Sequence, residues 1–394
     1  MGNGLQGTLI SIRGEFESFS NTSIGLIGTF YYAGFLLGSF QCSRVVKRAG
    51  HIRAFAAFAS LASVAPLIHA LFTNEILWMG LRALTGYCFA GLYMIIESWL
   101  NEQATNETRG SLFSVYFVIT LVAITLGQLI LNLASPSEFT LFVLSSVLVS
   151  LSLLPLTLTK SIQPLPIEST SIKVFSLWQM TPVGVTGCLV VGLINGVFWI
   201  LAPVFVSESG FDVKGISFFM TAVILGGAVA QYPIGYLSDR IDRRWVIIMV
   251  SMCAAIGEIA LVLITGKTSD LIFYLVSFGL GMFAHSIYSV SVAQANDRVT
   301  EGDFVAISGG LLVAYSIGAV IGPLIVSAIM ILVDTYVIFV YSAILHLLFA
   351  LFALTTFVKI QPVPPEEKTE FVITSISITG PEPAELDPRT EELN

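Results

Sequence analysis

Apolar runs long enough to cross a bilayer follow one another along almost the whole sequence, separated by short polar or Gly/Pro punctuation. A hydrocarbon core about 30 Å thick needs about 20 such residues per helix, and inside it backbone groups must bond within a helix or a closed barrel. Scanning at that length gives a short first candidate, then Ser23 to Ser43, Ile52 to Phe72, Ile76 to Glu97, Ser111 to Leu133, Phe139 to Thr159, Thr181 to Val206, Ile216 to Ser238, Trp245 to Thr265, Asp270 to Val292, Phe304 to Leu332 and Thr335 to Val358, twelve in all. The reading is an all-α polytopic membrane protein. Composition agrees: 55% of the 394 residues are hydrophobic and 11% charged, where soluble chains carry about a quarter charged. A soluble enzyme with one anchor is excluded.

Basic residues set the expected orientation. Arg44, Lys47, Arg48, Arg53, Arg109, Lys160, Lys173, Arg240, Arg243, Arg244 and Arg298 fall in one family of alternate loops, against Arg13, Lys214 and Lys267 in the other, eleven to three. The first set is expected to face the cytoplasm, with both termini. Trp78, Trp99, Trp178 and Trp245 lie at predicted helix ends, where an amphipathic ring prefers the interface, while Trp199 lies deeper. The expected location is the inner (plasma) membrane, multi-pass.

Twelve residues precede the Arg13-Gly-Glu15 cluster, and at about 1.5 Å per residue they fall short of a span. No basic stretch, apolar core and small-residue cleavage site is present, so a signal peptide is not expected; the expectation is that the natural start lies upstream. Cys42, Cys88, Cys188 and Cys253 sit singly in or beside apolar runs and read as buried thiols, with no metal-ligand spacing. Past Lys359 the composition turns to Pro, Glu, Ser and Thr, an expected disordered acidic tail. It holds eight acidic and two basic residues, so six of the net eight negative charges belong to it. The charge therefore says nothing about cargo. The stretch Phe371-Val-Ile-Thr-Ser-Ile-Ser-Ile378 within it is strand-like in composition and a candidate docking segment, a floppy tail being the plainer reading.

An offset of 195 residues aligns Ser43 with Ser238, Arg48 with Arg243, Gly86 with Gly281, Tyr93 with Tyr288, Asn101 with Asn296, Glu102 with Asp297 and Gly127 with Gly322. Transporters are often built from two homologous bundles. The division expected is an N-terminal six-helix bundle over 1–159, a cytoplasmic linker over 160–180, a C-terminal six-helix bundle over 181–358 and the tail over 359–394.

The loop after the eighth span reads Gly235-Tyr-Leu-Ser-Asp239-Arg240-Ile-Asp242-Arg243-Arg244. It resembles the G-x-x-x-D-R-x-G-R-R signature of the major facilitator superfamily, with Asp242 where glycine is usual. Glycine permits close helix approach, and the Asp and Arg side chains can pair and latch one conformation. The corresponding first-half loop, from Gly38 to Arg53, has Cys42 where the aspartate should be, and its basic residues equally fit the positive-inside rule. Arg82, Gly86 and Gly91 on the fourth span resemble the superfamily's R-x-x-x-G pattern. Tyr93 to Glu102, Leu126-Gly127-Gln128, Asn195-Gly196-Val-Phe-Trp199 before Pro203, and Tyr288 with Asn296-Asp297-Arg298 look like the superfamily's YcaD-like branch. The resemblance covers both halves.

The resemblance implies that spans 1, 4, 7 and 10 line a central cavity, which directs attention to their polar residues. Candidates for substrate or coupling are Arg82, Gln6, Gln128, Asn195, Trp199, His285 and Tyr288; Asn195 with Trp199, His285 with Tyr288, and Gln128 with Asn132 each share a helix face by spacing. A charge inside the bilayer costs about 3 kcal/mol on insertion scales, so Arg82 reads as a coupling or anion-binding group, with snorkelling as the alternative. Helix-helix hydrogen bonding is the alternative for each amide and hydroxyl. His285 can titrate near neutral pH. Glu97 lies about 22 Å from Arg82 along the helix and is expected to face Arg44 or Arg48. The conformational latch set is thus Glu97, Arg44, Arg48, Gly235, Asp239, Arg240, Arg243 and Arg244. Gly86, Gly127, Gly318, Gly322 and Pro323 are expected at helix contacts or bends, and Glu258 and His346, on the ninth and twelfth spans, in structural or lipid-facing roles. The antiporter pattern is missing from the fifth span, which has Ala123-Ile-Thr-Leu-Gly127-Gln128.

No nucleotide-binding loop, nucleophile elbow or paired metal ligands appear, so neither an ATP-driven pump nor an enzyme is expected, and no cofactor. The expected function is a secondary transporter moving a small organic solute by alternating access, with protons as candidate coupling ion. The partners are that solute and the lipid bilayer, with no nucleic acid and a monomeric state expected. The alternatives are a non-transporting sensor or assembly partner of the same fold, or a lipid or drug efflux protein.

Overall fold

The computed structural model describes residues 1–103, 106–158, 174–298 and 304–357, together with 368 and 371; the side chains of 101–111, 113, 114, 157 and 304–306 are excepted. The chain is helical throughout these segments. Its helices are α1 (Gly2–Phe16), α2 (Asn21–Ala49), α3 (His51–Leu71), α4 (Glu75–Gln103), α5 (Asn106–Ile130), α6 (Thr140–Leu151), α7 (Leu153–Leu158), α8 (Val174–Met180), α9 (Pro182–Glu208), α10 (Val213–Arg240), α11 (Arg243–Ile264), α12 (Asp270–Ala284), α13 (Ser286–Asn296), α14 (Phe304–Ile329) and α15 (Val337–Thr356). Ten stretches are long and apolar enough to cross a membrane among the described residues, and Thr140–Leu156 forms a shorter apolar one. The predicted spans from Ser23 onward each fall on one of these helices or on a pair of consecutive ones. The tenth is interrupted at His285, where α12 ends and α13 begins. Val174–Met180, within the expected linker, is helical, and most of the tail lies outside the described residues.

Local chemistry explains the boundaries. Ser20 caps α2 by accepting from the Ser23 N–H, and Asp212 caps α10 by accepting from the Gly215 N–H at 2.8 Å. Gly50 takes a φ of +81° that lets α2 turn straight into α3. Without a hydrophobic drive between helices in lipid, close packing of small residues holds such a bundle together. The crossings show how. Gly86 of α4 lies against the Tyr31 carbonyl and Gly34 of α2 against the Ala83 carbonyl, so close that an added Cβ would overlap them. In α10 and α12, Gly281 lies against the Val223 carbonyl and Gly226 against the Phe278 carbonyl in the same manner. The offset that carries Gly86 to Gly281 also carries Ala83 to Phe278. Gly127 of α5 abuts the Met1 carbonyl just before α1, and its counterpart Gly322 of α14 abuts the Leu193 carbonyl of α9; Gly318 meets the Leu189 carbonyl one turn earlier. Pro323 lies inside α14, which continues through it.

One reading is corrected, and another is narrowed to its structural alternative. Trp78 is not at an open interface: it is fully buried, donates its ring N–H to the Phe72 carbonyl at 2.6 Å and meets Phe19, His69 and Phe142 edge-on. Glu258 and His346 do not face lipid; they are buried and joined at 2.9 Å across α11 and α15, because a carboxyl group away from water requires a partner.

Candidate functional site

Helices α2, α4, α10 and α11 all reach the end of the bundle that carries Arg44, Arg48, Arg240 and Arg243, called here the basic end. The opposite end is sealed by contacts between the first and second halves of the chain. Ser207 donates to Glu15 Oε1 at 2.8 Å, Asn21 Nδ2 to Glu208 Oε1 at 3.1 Å, and Thr22 to the Ser327 carbonyl at 3.2 Å. Asn132 Nδ2 donates to Ser217 Oγ at 3.0 Å, and Ser217 in turn to the Gln128 carbonyl at 2.7 Å. From the middle of the bundle toward the basic end the helices enclose a cavity of about 410 Å³. Its wall begins at Thr8 and Arg82 and extends past Tyr93 to Ile96 on α4 and Ser152 near α7.

The wall is mainly apolar and rich in aromatic rings, and Arg82 is its one cationic side chain among the described residues. Arg82 enters from α4, is buried, and stacks its guanidinium 4.2 Å over the Tyr31 ring. Its Nε and Nη1 make no hydrogen bond, and no carboxylate pairs with it among the described residues. Tyr31, Tyr32, Tyr93, Tyr288 and Tyr315 contribute rings and hydroxyls. Asn3 Nδ2 ties two of these together, donating to Tyr31 at 3.1 Å and Tyr93 at 3.2 Å. Opposite in the repeat, His285 stands at the break between α12 and α13. Its ring lies edge-on to Phe198 and Trp199, about 6 Å from each, and neither ring nitrogen has a hydrogen-bond partner among the described residues. Gln231 Nε2 donates to the His285 carbonyl at 3.3 Å, meeting part of the backbone need created there.

Of the residues singled out in the sequence, Arg82, Trp199, His285 and Tyr288 line this cavity. Gln6, Gln128 and Asn195 are buried but not in its wall. Gln128 is a strut between helices, accepting from Thr8 at 2.9 Å and donating to the Gly4 carbonyl at 2.9 Å. Asn195 is turned toward Tyr315. The sequence reading missed Asn3, Tyr31, Tyr32 and Tyr315 as wall residues. A signal was available in the adjacent tyrosines mid-way along an apolar run, with Phe35 one turn beyond Tyr31.

At the basic end the charged loop is organised around Arg243, which is buried. It meets Asp297 Oδ2 at 2.7 Å, Asp239 Oδ1 at 3.1 Å and Ser238 Oγ at 2.9 Å, joining the ends of α10, α11 and α13. Asp242 caps α11 through the Arg244 N–H at 3.0 Å and grips the Arg244 guanidinium at 2.6 Å. Burial raises its pKa, but the side-chain and backbone hydrogen bonds from Arg244 and that residue's charge outweigh it and hold the carboxyl below its ordinary value. Arg240 stacks 3.9 Å over Tyr236 instead of joining the cluster. In the first half the expected pairing differs: Glu97 is buried, whereas Arg44 and Arg48 are exposed and make no ion pair with it. Cys42, in place of an aspartate, leaves α2 without the carboxylate that organises its counterpart.

The comparisons with known proteins agree with this architecture. The MFS-type transporter YcaD of Escherichia fergusonii is 27% identical over 318 residues, covering 80% of this chain and 82% of that one. Its counterpart in Escherichia coli O139:H28 is 28% identical over 320 residues, with the same coverage of each. Among solved structures, the nucleoside transporter NupG superposes with a TM-score of 0.75 at 13% identity over 91% of this chain and 97% of its own. A bacterial homolog of the human lysosomal transporter Spinster gives 0.73 at 14% identity over 93% and 95%. The family profile described as Major Facilitator Superfamily matches residues 1–213 and 184–380, and the chain belongs to that superfamily of membrane transporters.

Proposed function

We propose that this transporter moves a small organic anion with a flat or apolar body, together with a proton, by alternating access between two six-helix bundles. The observation that carries the reading is Arg82: a buried guanidinium on the cavity wall whose Nε and Nη1 are free of hydrogen bonds and which has no carboxylate partner among the described residues. A charge held away from water and unpaired is costly, and a carboxylate or phosphate bound in the cavity would complete it. The rings of Tyr31, Tyr93, Trp199 and Tyr288 offer the apolar remainder of such a solute a matching surface.

His285 is the proton-binding group in this proposal. It faces the same cavity with both ring nitrogens open, and its protonation would add a second positive charge to the anion's site. Proton and anion would then bind more tightly together than apart, which is what coupling requires. Its position at an interrupted helix suits a group whose surroundings change between states.

The test is a thermal-shift series on the purified protein with small carboxylates, phosphate esters and their neutral amide or ester analogues. Binding to the folded state raises apparent stability. Acids should stabilise the native protein and their neutral analogues should not; Arg82→Ala should weaken the acid's apparent affinity by at least about ten-fold, and Arg82→Lys by less. Equal stabilisation by neutral analogues, or an acid response that survives in Arg82→Ala, overturns the reading.

A further inference from the structure

The signature residues of the α10–α11 loop do not account for what covers it. Gly227, Gln231 and Gly235 recur every four residues along α10 and therefore share one face. The first two line the cavity. Gly235, one turn nearer the basic end, continues that face toward the mouth, and the ring of Phe371 from the tail sits on it, so closely that an added Cβ at Gly235 would collide with the ring. The Phe371 N–H donates to Asp239 Oδ2 at 3.3 Å, the carboxylate whose other oxygen Arg243 holds. Three residues earlier, Lys368 Nζ donates to the Ile241 carbonyl at 2.6 Å and lies 3.5 Å from the carbonyls of Ser238 and Asp239. These are the orphan acceptors at the C-terminal end of α10, where an ammonium group is favoured by both hydrogen bonding and the helix dipole.

We propose that Lys368 and Phe371, which follow the last described helix, are a built-in brake: Lys368 holds the end of α10, and Phe371 wedges the cavity mouth on the basic side so that these two residues must lift before that side can close. Closing the mouth brings the cavity face of α10 toward the facing half of the protein, and a phenylalanine ring on Gly235 occupies that approach. Glycine at 235 serves the docked tail as a seat: any side chain there would displace the ring. The contact also engages Asp239, so leaving and docking of the tail are felt by the Asp239–Arg243–Asp297 cluster that joins α10, α11 and α13.

The experiment reads mouth width directly and needs no substrate. In the full chain carrying Cys253→Ser, spin labels are placed through Val115→Cys on α5 and Tyr236→Cys on α10, both exposed positions, and their separation is measured by pulsed electron resonance. With the native tail one long-distance population should dominate. Phe371→Ala and Lys368→Ala should each raise the proportion of a shorter distance, by about ten-fold for the loss of a charge-assisted tether, while Phe371→Trp keeps the native distribution. Both substituted residues lie beyond α15, the last helix among the described residues, and unchanged helicity by circular dichroism confirms that the bundle is intact. Identical distributions in all four proteins, or a wider separation on removing Phe371, overturn the proposal. Arg82 plays no part in this readout, so it stands or falls apart from the anion reading.

Discussion

At the residue scale, a side chain's role here depends on whether its polar atoms find protein partners. Asp242 stands where the superfamily signature has glycine, and the structure shows what the exchange provides: a cap for α11 and an anchor for Arg244, whose Nη1 in turn reaches the Thr356 carbonyl at the end of α15 at 3.2 Å. Because the folded carboxyl titrates below its ordinary value, its contribution is fully present above the unfolded value of about 3.9 and is lost as pH falls through the lower folded value. Asp242→Asn keeps a capping oxygen and removes the charge. The expected result is a thermal midpoint a few degrees below that of the native protein at neutral pH, the gap closing below about pH 4; a gap that does not change with pH would show that the charge of Asp242 is not its source. Residue identity alone made Asp242 visible as a departure but could not show its benefit, because the carbonyl that Arg244 reaches lies 112 positions beyond Arg244. Gln128 shows the reverse limit. Its one-turn pairing with Asn132 was legible by spacing, yet α5 ends at Ile130 and Asn132 lies on a following 3-10 turn, so Asn132 reaches Ser217 while Gln128 faces α1 as a strut.

At the scale of the element, periodicity and apolar length located the helices because a bilayer leaves the backbone so few options. The interruption at His285 was not legible. The apolar run passes through it unbroken, and the helix parts where Gln231 of α10 can take over a carbonyl. The repeat was legible as scattered identities, and its physical meaning is the pair of glycine crossings. Gly86 and Gly281 each bring a neighbouring carbonyl inside the distance a Cβ would need, so Gly86→Val and Gly281→Val should both lower stability, each by about 3 kcal/mol as overpacking with little room to yield. Urea or thermal unfolding of the two variants checks this. Gly7, whose added Cβ would meet nothing within 4 Å, supplies the control: Gly7→Val should leave the midpoint near the native one. A small effect at either crossing would mean that those helices can part without cost.

At the scale of the whole molecule, the contacts are unequally distributed between the two ends. Hydrogen bonds across the halves gather at the end away from the basic loops, from Glu15 and Asn21 to Asn132 and Ser217, while the cavity lies toward the other. Exchange between two such arrangements requires that the sealed end come apart, and its bonds are single hydroxyl and amide contacts, each worth about 1 kcal/mol net, or about 2 where the Glu15 or Glu208 carboxylate accepts. They can therefore break one by one without an ion pair being dismantled. A covalent bridge removes that freedom. Asn132 Nδ2 and Ser217 Oγ are 3.0 Å apart, so a short thiol-reactive cross-linker should join Asn132→Cys to Ser217→Cys in a Cys253→Ser background. If opening of this end is part of the cycle, the bridged protein keeps its ligand-induced thermal shift, since the cavity on the basic side stays accessible, but loses net uptake in vesicles until the linker is cleaved. Uptake that continues at the native rate with the bridge intact would require a path for solute that never opens this end, and alternation between the two ends could not then be how the protein works.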